Sequence, residues 1–306
     1  MLRFMFWRSL STLPTLWAVI TVCYLLLHFT PGGPFDAERA MSPAVLANLQ
    51  AKYHLDLPLW KQYVYYIGNL LRGDLGASYR YADWSVNELV AAAAPVSLLI
   101  GGVSLVLSFV LGVAAGIAAA LRRNSLIDYG VMLLSNVGHT FPSFVVGPVL
   151  IVVFAITLGW LPAGGLQSED IRYYILPIGL LVLINMASIS RVMRGSLIDV
   201  MNSPFIRTAR AKGLPLRTIV MRHAFKPAVL PVVSLLSPMA ISSITSAIVT
   251  ETVFSLPGIG RLVVNAAINR DYTLVLGLVV LITVFAVVMN LIVDLCYAWL
   301  DPKIRY

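Results

Sequence analysis

PVSLLIGGVSLVLSFVLGVAAGIAAAL, residues 95–121, decides the architecture. A helix that crosses a bilayer needs about 20 mostly apolar residues, because hydrocarbon tolerates only a backbone that satisfies its own hydrogen bonds. This run exceeds that length. Five further runs approach or exceed it: 9–29, 130–158, 174–190, 227–252 and 273–297. The expectation is an all-α polytopic membrane protein with six spanning helices. Of the 306 residues, 59% are hydrophobic and only 12% are charged. Mean hydropathy is +0.85, and the charged share is about half that of a soluble domain. Soluble globular, disordered and disulfide-scaffold classes are excluded. Cys23 and Cys296 stand far apart in apolar segments. They read as small hydrophobes rather than as a metal pair or a disulfide framework.

Charge sets the orientation. The first run follows Arg3 and Arg8 and ends at Thr30-Pro31-Gly32 without a small-x-small cleavage site, so it reads as a retained signal anchor. With the N-terminus inside, the inner segments hold fourteen basic residues and three acids. The outer segments hold eight and nine, a net +11 against −1. Positive charge collects in short cytoplasmic loops, which predicts both termini inside. The overall +8 follows topology rather than a nucleic-acid face.

The chain divides into an N-terminal segment with the first span (1–29), an outer helical cap (30–94) and a membrane core (95–306) that carries an inner loop at 191–226. In the cap, Ser42-Pro43 is a helix start. A second helix from Pro58 to Leu71 places Leu59, Tyr63, Tyr66, Ile67 and Leu70 on one side. Asp74-Leu75-Gly76 then turns the chain.

Enzymatic motifs are missing from the sequence. It has no G-x-x-x-x-G-K-[ST] phosphate loop, no H-E-x-x-H and no G-x-S-x-G. Its four histidines are scattered, at 28, 54, 139 and 223.

The inner loop is the sharpest feature: Asn202-Ser203-Pro204-Phe205-Ile206-Arg207-Thr208-Ala209-Arg210-Ala211-Lys212-Gly213-Leu214-Pro215. Ser203 can cap a helix whose first turn suits Pro204. Gly213 suits the left-handed residue after it, and Pro215 stops continuation. Arg210 and Lys212 fall where positive charge favours the helix dipole. The result is a short helix of roughly 15 Å, with Phe205 as the large apolar side chain near its start. A basic loop resting on anionic lipid accounts for the charge. It does not account for capping at both ends, which suits docking into a groove on a cytoplasmic partner.

The fifth span carries Ser242, Ser246 and Thr250 at i, i+4 and i+8, ending beside Glu251. These four either line a path or, for the small residues, allow close helix packing, and Glu251 is otherwise an acid at the membrane interface. Gly112-x-x-x-Gly116 is a packing motif. Pro142, Pro148, Pro227, Pro231 and Pro238 should bend or break spans three and five.

Arg207–Leu214, followed by His223 and Pro231, resembles the coupling loop of binding-protein-dependent ABC importer permeases of the dipeptide/oligopeptide branch. Other stretches are similar to the same family. They are Thr30–Pro34, Gly73-Asp74-Leu75-Gly76-Ala77-Ser78, Arg191-Val192-Met193-Arg194-Gly195-Ser196, Glu251–Gly260, Asn269-Arg270-Asp271-Tyr272 and Asp301–Tyr306. One departure stands out. The general importer loop has Glu-Ala-Ala, three residues, then Gly. Counting back from Gly213 gives Arg207, Thr208 and Ala209, and His223 stands where a downstream Ile would be.

The resemblance implies a type I ABC importer permease fold in a bacterial inner membrane. It implies a second homologous permease, two cytoplasmic ATPase subunits and a periplasmic or lipid-anchored peptide-binding protein. Ser203, Phe205, Arg207, Thr208, Ala209, Arg210, Ala211, Lys212 and Gly213 would couple to an ATPase. This chain would bind no cofactor itself. The cargo would be oligopeptides, with dipeptides, nickel chelates or glutathione as alternatives on the same fold. A stand-alone carrier usually shows midplane ion sites and inverted repeats, which the sequence does not display.

Overall fold

A computed structural model of the chain describes residues 2–30, 55–81, 83–167 and 170–300, with the side chains of 2–10 and 244–247 outside that description. The expected helix start at Ser42-Pro43, the motif residues 31–34 and the ending 301–306 also lie outside the described residues.

The first span is α1, Leu2–Phe29, and α2 is Leu59–Leu71. Helix α3, Val86–Leu121, starts well before the expected 95. The reason is a capping box: the Ser85 hydroxyl accepts the Glu88 N–H at 3.2 Å, and the Glu88 carboxylate accepts the Ser85 N–H at 2.9 Å. Residues 86–94 are thus continuous in one helix with the apolar run 95–121.

The third apolar run is not one straight helix. It forms α4, Leu126–Thr140, and α5, Ser143–Leu150, which continues in π-helical form through Ile151–Thr157. The two halves are bent by 109°. Pro142 supplies no N–H and drives Phe141 out of the helical region, to ψ 125. Five described helices are long and apolar enough to cross a membrane, or six when the bent pair is counted as one span.

Helix α6, Arg172–Met201, runs past the membrane-length stretch into the expected inner loop, so residues 191–201 are helical. Next comes the short α7, Pro204–Ala211. A turn at Leu216–Thr218 and a π-helical stretch at Ile219–Ala224 lead into α8, Phe225–Val253. Contrary to the expected breaks in span five, α8 runs through Pro227, Pro231 and Pro238 without interruption. Helix α9 is Ile259–Ile268 and α10 is Tyr272–Leu300.

Helix α3 packs against α6 through the expected glycine pair. A Cβ on Gly112 would stand 2.7 Å from the Ile189 side chain, and one on Gly116 would stand 2.7 Å from the Ser190 carbonyl. Missing side chains let the two backbones approach. Three apolar clusters stack along the bundle. One gathers Val113, Ile189, Met193, Val229 and Val293 beneath α7. A second joins Ile100, Leu180, Phe254 and Leu256. The third joins Val86, Ile259, Leu274 and Leu278 at the end opposite α7.

Candidate functional site

Helix α7 is built as its sequence suggests at one end and differently at the other. At its C-terminus Lys212 is the cap and Gly213 takes φ +71. The Leu214 N–H reaches the Ala209 carbonyl at 3.3 Å and the Gly213 N–H reaches that of Arg210 at 2.9 Å. This 6→1 and 5→2 pairing is a Schellman closure. At the N-terminus Pro204 takes the first turn. Ser203, however, makes no side-chain cap. Its hydroxyl donates back to the Val200 carbonyl at 2.6 Å, so the expected capping bond is replaced by one that ties α7 to the last turn of α6.

The faces of α7 differ sharply. Ile206 is 0% exposed and Ala209 is also buried, both in the cluster formed with Val113, Met193, Leu197 and Val229. Phe205 is 50% exposed. Arg207, Thr208, Arg210, Ala211, Lys212 and Gly213 are exposed as well. Of the expected coupling residues, then, Ala209 faces the chain's own core and has no surface to offer a partner. Ile206, which sequence reasoning passed over in favour of Phe205, is the anchor. The signal was available, since Ile206 and Ala209 are three apart and share a face.

Behind α7 the two arginines of Arg191-Val192-Met193-Arg194 tie α6 to α4. Arg194 is ion-paired with the buried Asp128 through two bonds, one at 2.6 Å from a terminal guanidinium nitrogen. Asp128 also accepts the Asn124 N–H at 2.9 Å, and Arg191 donates to Asn136 at 2.9 Å. Removing Arg194, whose side chain is 24% exposed, leaves the Asp128 charge uncompensated and costs less than the roughly 3–5 kcal/mol of a fully buried pair. Arg194→Gln should therefore lower the melting temperature of the detergent-solubilised subunit, and adding Asp128→Asn should recover most of the loss. A double variant as unstable as the single one would show that the pair is not the cause.

The opposite end holds two buried carboxylates. The sequence places Glu251 at the outer end of a span, either lining a path or at the interface. It is 1% exposed. Its Oε1 accepts the Ser97 hydroxyl at 2.5 Å and its Oε2 accepts the Arg261 N–H at 3.0 Å, while the Ile259 N–H donates to Ser97 Oγ at 2.8 Å. Glu251 thus closes the N-terminus of α9 from another helix, where free N–H groups favour an acid. A Cβ on Gly258 would stand 2.2 Å from that carboxylate, which is why the bend before α9 carries glycine. The path-lining expectation for Glu251 is corrected: the carboxylate is structural. Thr250 is likewise buried. Ser242 is exposed and donates to the Met239 carbonyl at 3.0 Å. The side chain of Ser246 lies outside the description, so among the described side chains of the stripe only Ser242 faces outward.

Asp271 is the second carboxylate, 0% exposed. It accepts from the Ser78 hydroxyl, the Tyr79 N–H at 3.2 Å and the Leu274 N–H at 3.1 Å. Arg80 adds a bond to the Asn269 carbonyl at 2.7 Å. The turn at Gly73–Ser78 and the start of α10 are therefore one unit, joined across more than half the chain. Sequence reading noted both motifs and could not pair them.

A short cationic helix is thus seated by Ile206 and Ala209 on a bundle of apolar helices. The chain belongs to the family of binding-protein-dependent transport system inner membrane components, whose pattern matches residues 112–306. It is a non-catalytic permease subunit of an ABC transport system. Among individual relatives, it is 51% identical to the oligopeptide transport system permease protein OppB of Haemophilus influenzae, over the full length of both chains. Identity to OppB of Escherichia coli (strain K12) is 50%, again over both full lengths. It is 36% to the dipeptide transport system permease protein DppB of Bacillus subtilis, over 100% of this chain and 98% of that one. A solved chain of the MetNI methionine ABC transporter superposes with TM-score 0.55 at 18% identity, covering 70% of this chain and 96% of that one. The shared fold is that of a type I ABC importer permease.

Proposed function

We propose that this chain forms half of an oligopeptide translocation path in a bacterial inner membrane, with both termini cytoplasmic. It pairs with a second homologous permease, two ATPase subunits and a periplasmic or lipid-anchored peptide-binding protein. Nucleotide is bound by the ATPases and no cofactor by this chain. The observation that carries the reading is the two-sided seating of α7. Ile206 and Ala209 lock it to the apolar cluster shared by α3, α6, α8 and α10, while Phe205, Arg207, Thr208, Arg210, Ala211 and Lys212 are presented outward. A groove on an ATPase that moves α7 moves the cluster with it, since packed interiors shift as bodies rather than deform. Oligopeptide cargo is supported by the relatives' names and their full-length identity.

A photoreactive amino acid at each α7 position in the assembled transporter tests the seating. Positions 205, 208 and 212 should crosslink to an ATPase subunit, and 206 should crosslink only within this chain. Empty crosslinking from 205, 208 and 212 in a transporting assembly would sink the coupling role.

A further inference from the structure

Helix α2 has two faces. Of the expected apolar side, Tyr63, Tyr66, Ile67 and Leu70 are half-buried, while Leu59, at the first residue of the helix, is exposed. Tyr63 shares a 2.6 Å hydrogen bond with Thr21 of α1, and the Tyr24 ring lies 5.2 Å from that of Tyr63 and 5.7 Å from that of Tyr66. The other face carries Trp60, 65% exposed, Leu71, 83% exposed, and the exposed Val64 and Tyr65. At 3.6 residues per turn, Trp60, Val64 and Leu71 fall within about 40° of one another. The exposed Lys61 and Arg72 follow at about 100–120° around the helix, toward Tyr65. An apolar strip flanked by cations and aromatics is the pattern of a helix lying in a membrane interface.

Depth supports the same placement. The apolar stretch Ser11–Phe29 of α1 has 19 residues, about 28 Å at 1.5 Å each, close to the roughly 30 Å of hydrocarbon in a bilayer. Thr21 stands eight residues before Phe29, so the Tyr63 hydroxyl, at the tip of its side chain, reaches a point about 12 Å along α1 from the end of that stretch, with the α2 backbone set back toward that end. Beside it, Val22, Leu25, Leu26 and Phe29 are exposed and apolar, which is the surface a span shows to lipid.

We infer that α2 is an in-plane interfacial helix seated in the lipid leaflet at the C-terminal end of α1. Trp60, Val64 and Leu71 enter the acyl boundary, and Lys61 and Arg72 meet headgroup phosphates. The segment is a membrane-seated collar at this point rather than a cap standing in water.

Spin labels test this in the complete transporter, in vesicles of phosphatidylethanolamine and phosphatidylglycerol, on a Cys23→Ser/Cys296→Ser background. Labels at Trp60→Cys, Val64→Cys and Leu71→Cys should collide with oxygen in preference to a water-soluble nickel chelate, as a Leu26→Cys reference does. A Lys61→Cys label should sit shallower. Labels at 60, 64 and 71 that favour the chelate would overturn the inference. Labels that favour the chelate until a solute-binding protein is added, and are then shielded, would overturn it in favour of a protein-docking face.

Discussion

Glu251→Ala is expected to lower the melting temperature of the solubilised subunit by about 5–10 °C and to cut the amount of assembled transporter in the membrane. The substitution removes the acceptor for the buried Ser97 hydroxyl and the part-buried Arg261 N–H. A buried donor left without an acceptor costs about 1–3 kcal/mol, and the deleted carboxylate leaves a void between α3, α8 and α9. Glu251→Gln keeps the volume and one acceptor oxygen but turns an amide donor toward N–H groups, so it should fall between. Ser242→Ala is the control and should change neither property. Should Glu251→Gln instead leave stability intact and alter which peptides are taken up, the residue would be touching cargo and the capping role assigned here would be wrong.

Gly213→Val should abolish uptake, by more than about tenfold, while the subunit reaches the membrane at its usual level. Gly213 sits at φ +71, where a side chain costs about 1–2 kcal/mol and a β-branched one more. Nothing crowds a Cβ at this position, so the penalty is one of backbone alone. It falls on the two hydrogen bonds that close α7, from Leu214 to Ala209 and from Gly213 to Arg210. Without them the last turn frays and Leu214 leaves the cluster. A lever that frays transmits less. Asn tolerates the left-handed region, so Gly213→Asn should retain most transport and Gly213→Ala an intermediate amount. Equal losses in all three, measured as peptide uptake per inserted subunit, would indicate that contact with glycine itself, and not helix closure, is what the loop needs.

What the sequence discloses here is what is local. Apolar length places the spans, Pro204 and Gly213 bound α7, and Gly112 with Gly116 marks a close crossing, because each is written within one helix. The capping box at Ser85 and Glu88 was equally local and moved the start of α3 to Val86. The 109° bend follows from Pro142, although composition alone cannot say whether a proline breaks a helix, as at 142, or is absorbed, as at 227, 231 and 238. Neighbouring helices that re-satisfy the freed groups decide that. The roles of Glu251 and Asp271 were out of reach for another reason. Their partners lie 154 and 193 positions away, at Ser97 and Ser78, and an acid near the end of a span looks the same whether it faces a path or a helix terminus.

The first helix of this chain packs against the last: α1 lies along α10, with the His28 ring 6.3 Å from that of Tyr272. During synthesis α1 enters the bilayer while its mate is still unmade, hundreds of residues from the ribosome exit. It must wait as a solitary segment, and its largely greasy exterior lets it do so. The contact forms only once Tyr272–Leu300 has been made. A message cut short before Tyr272 would therefore leave α1 stranded, ready prey for membrane quality control.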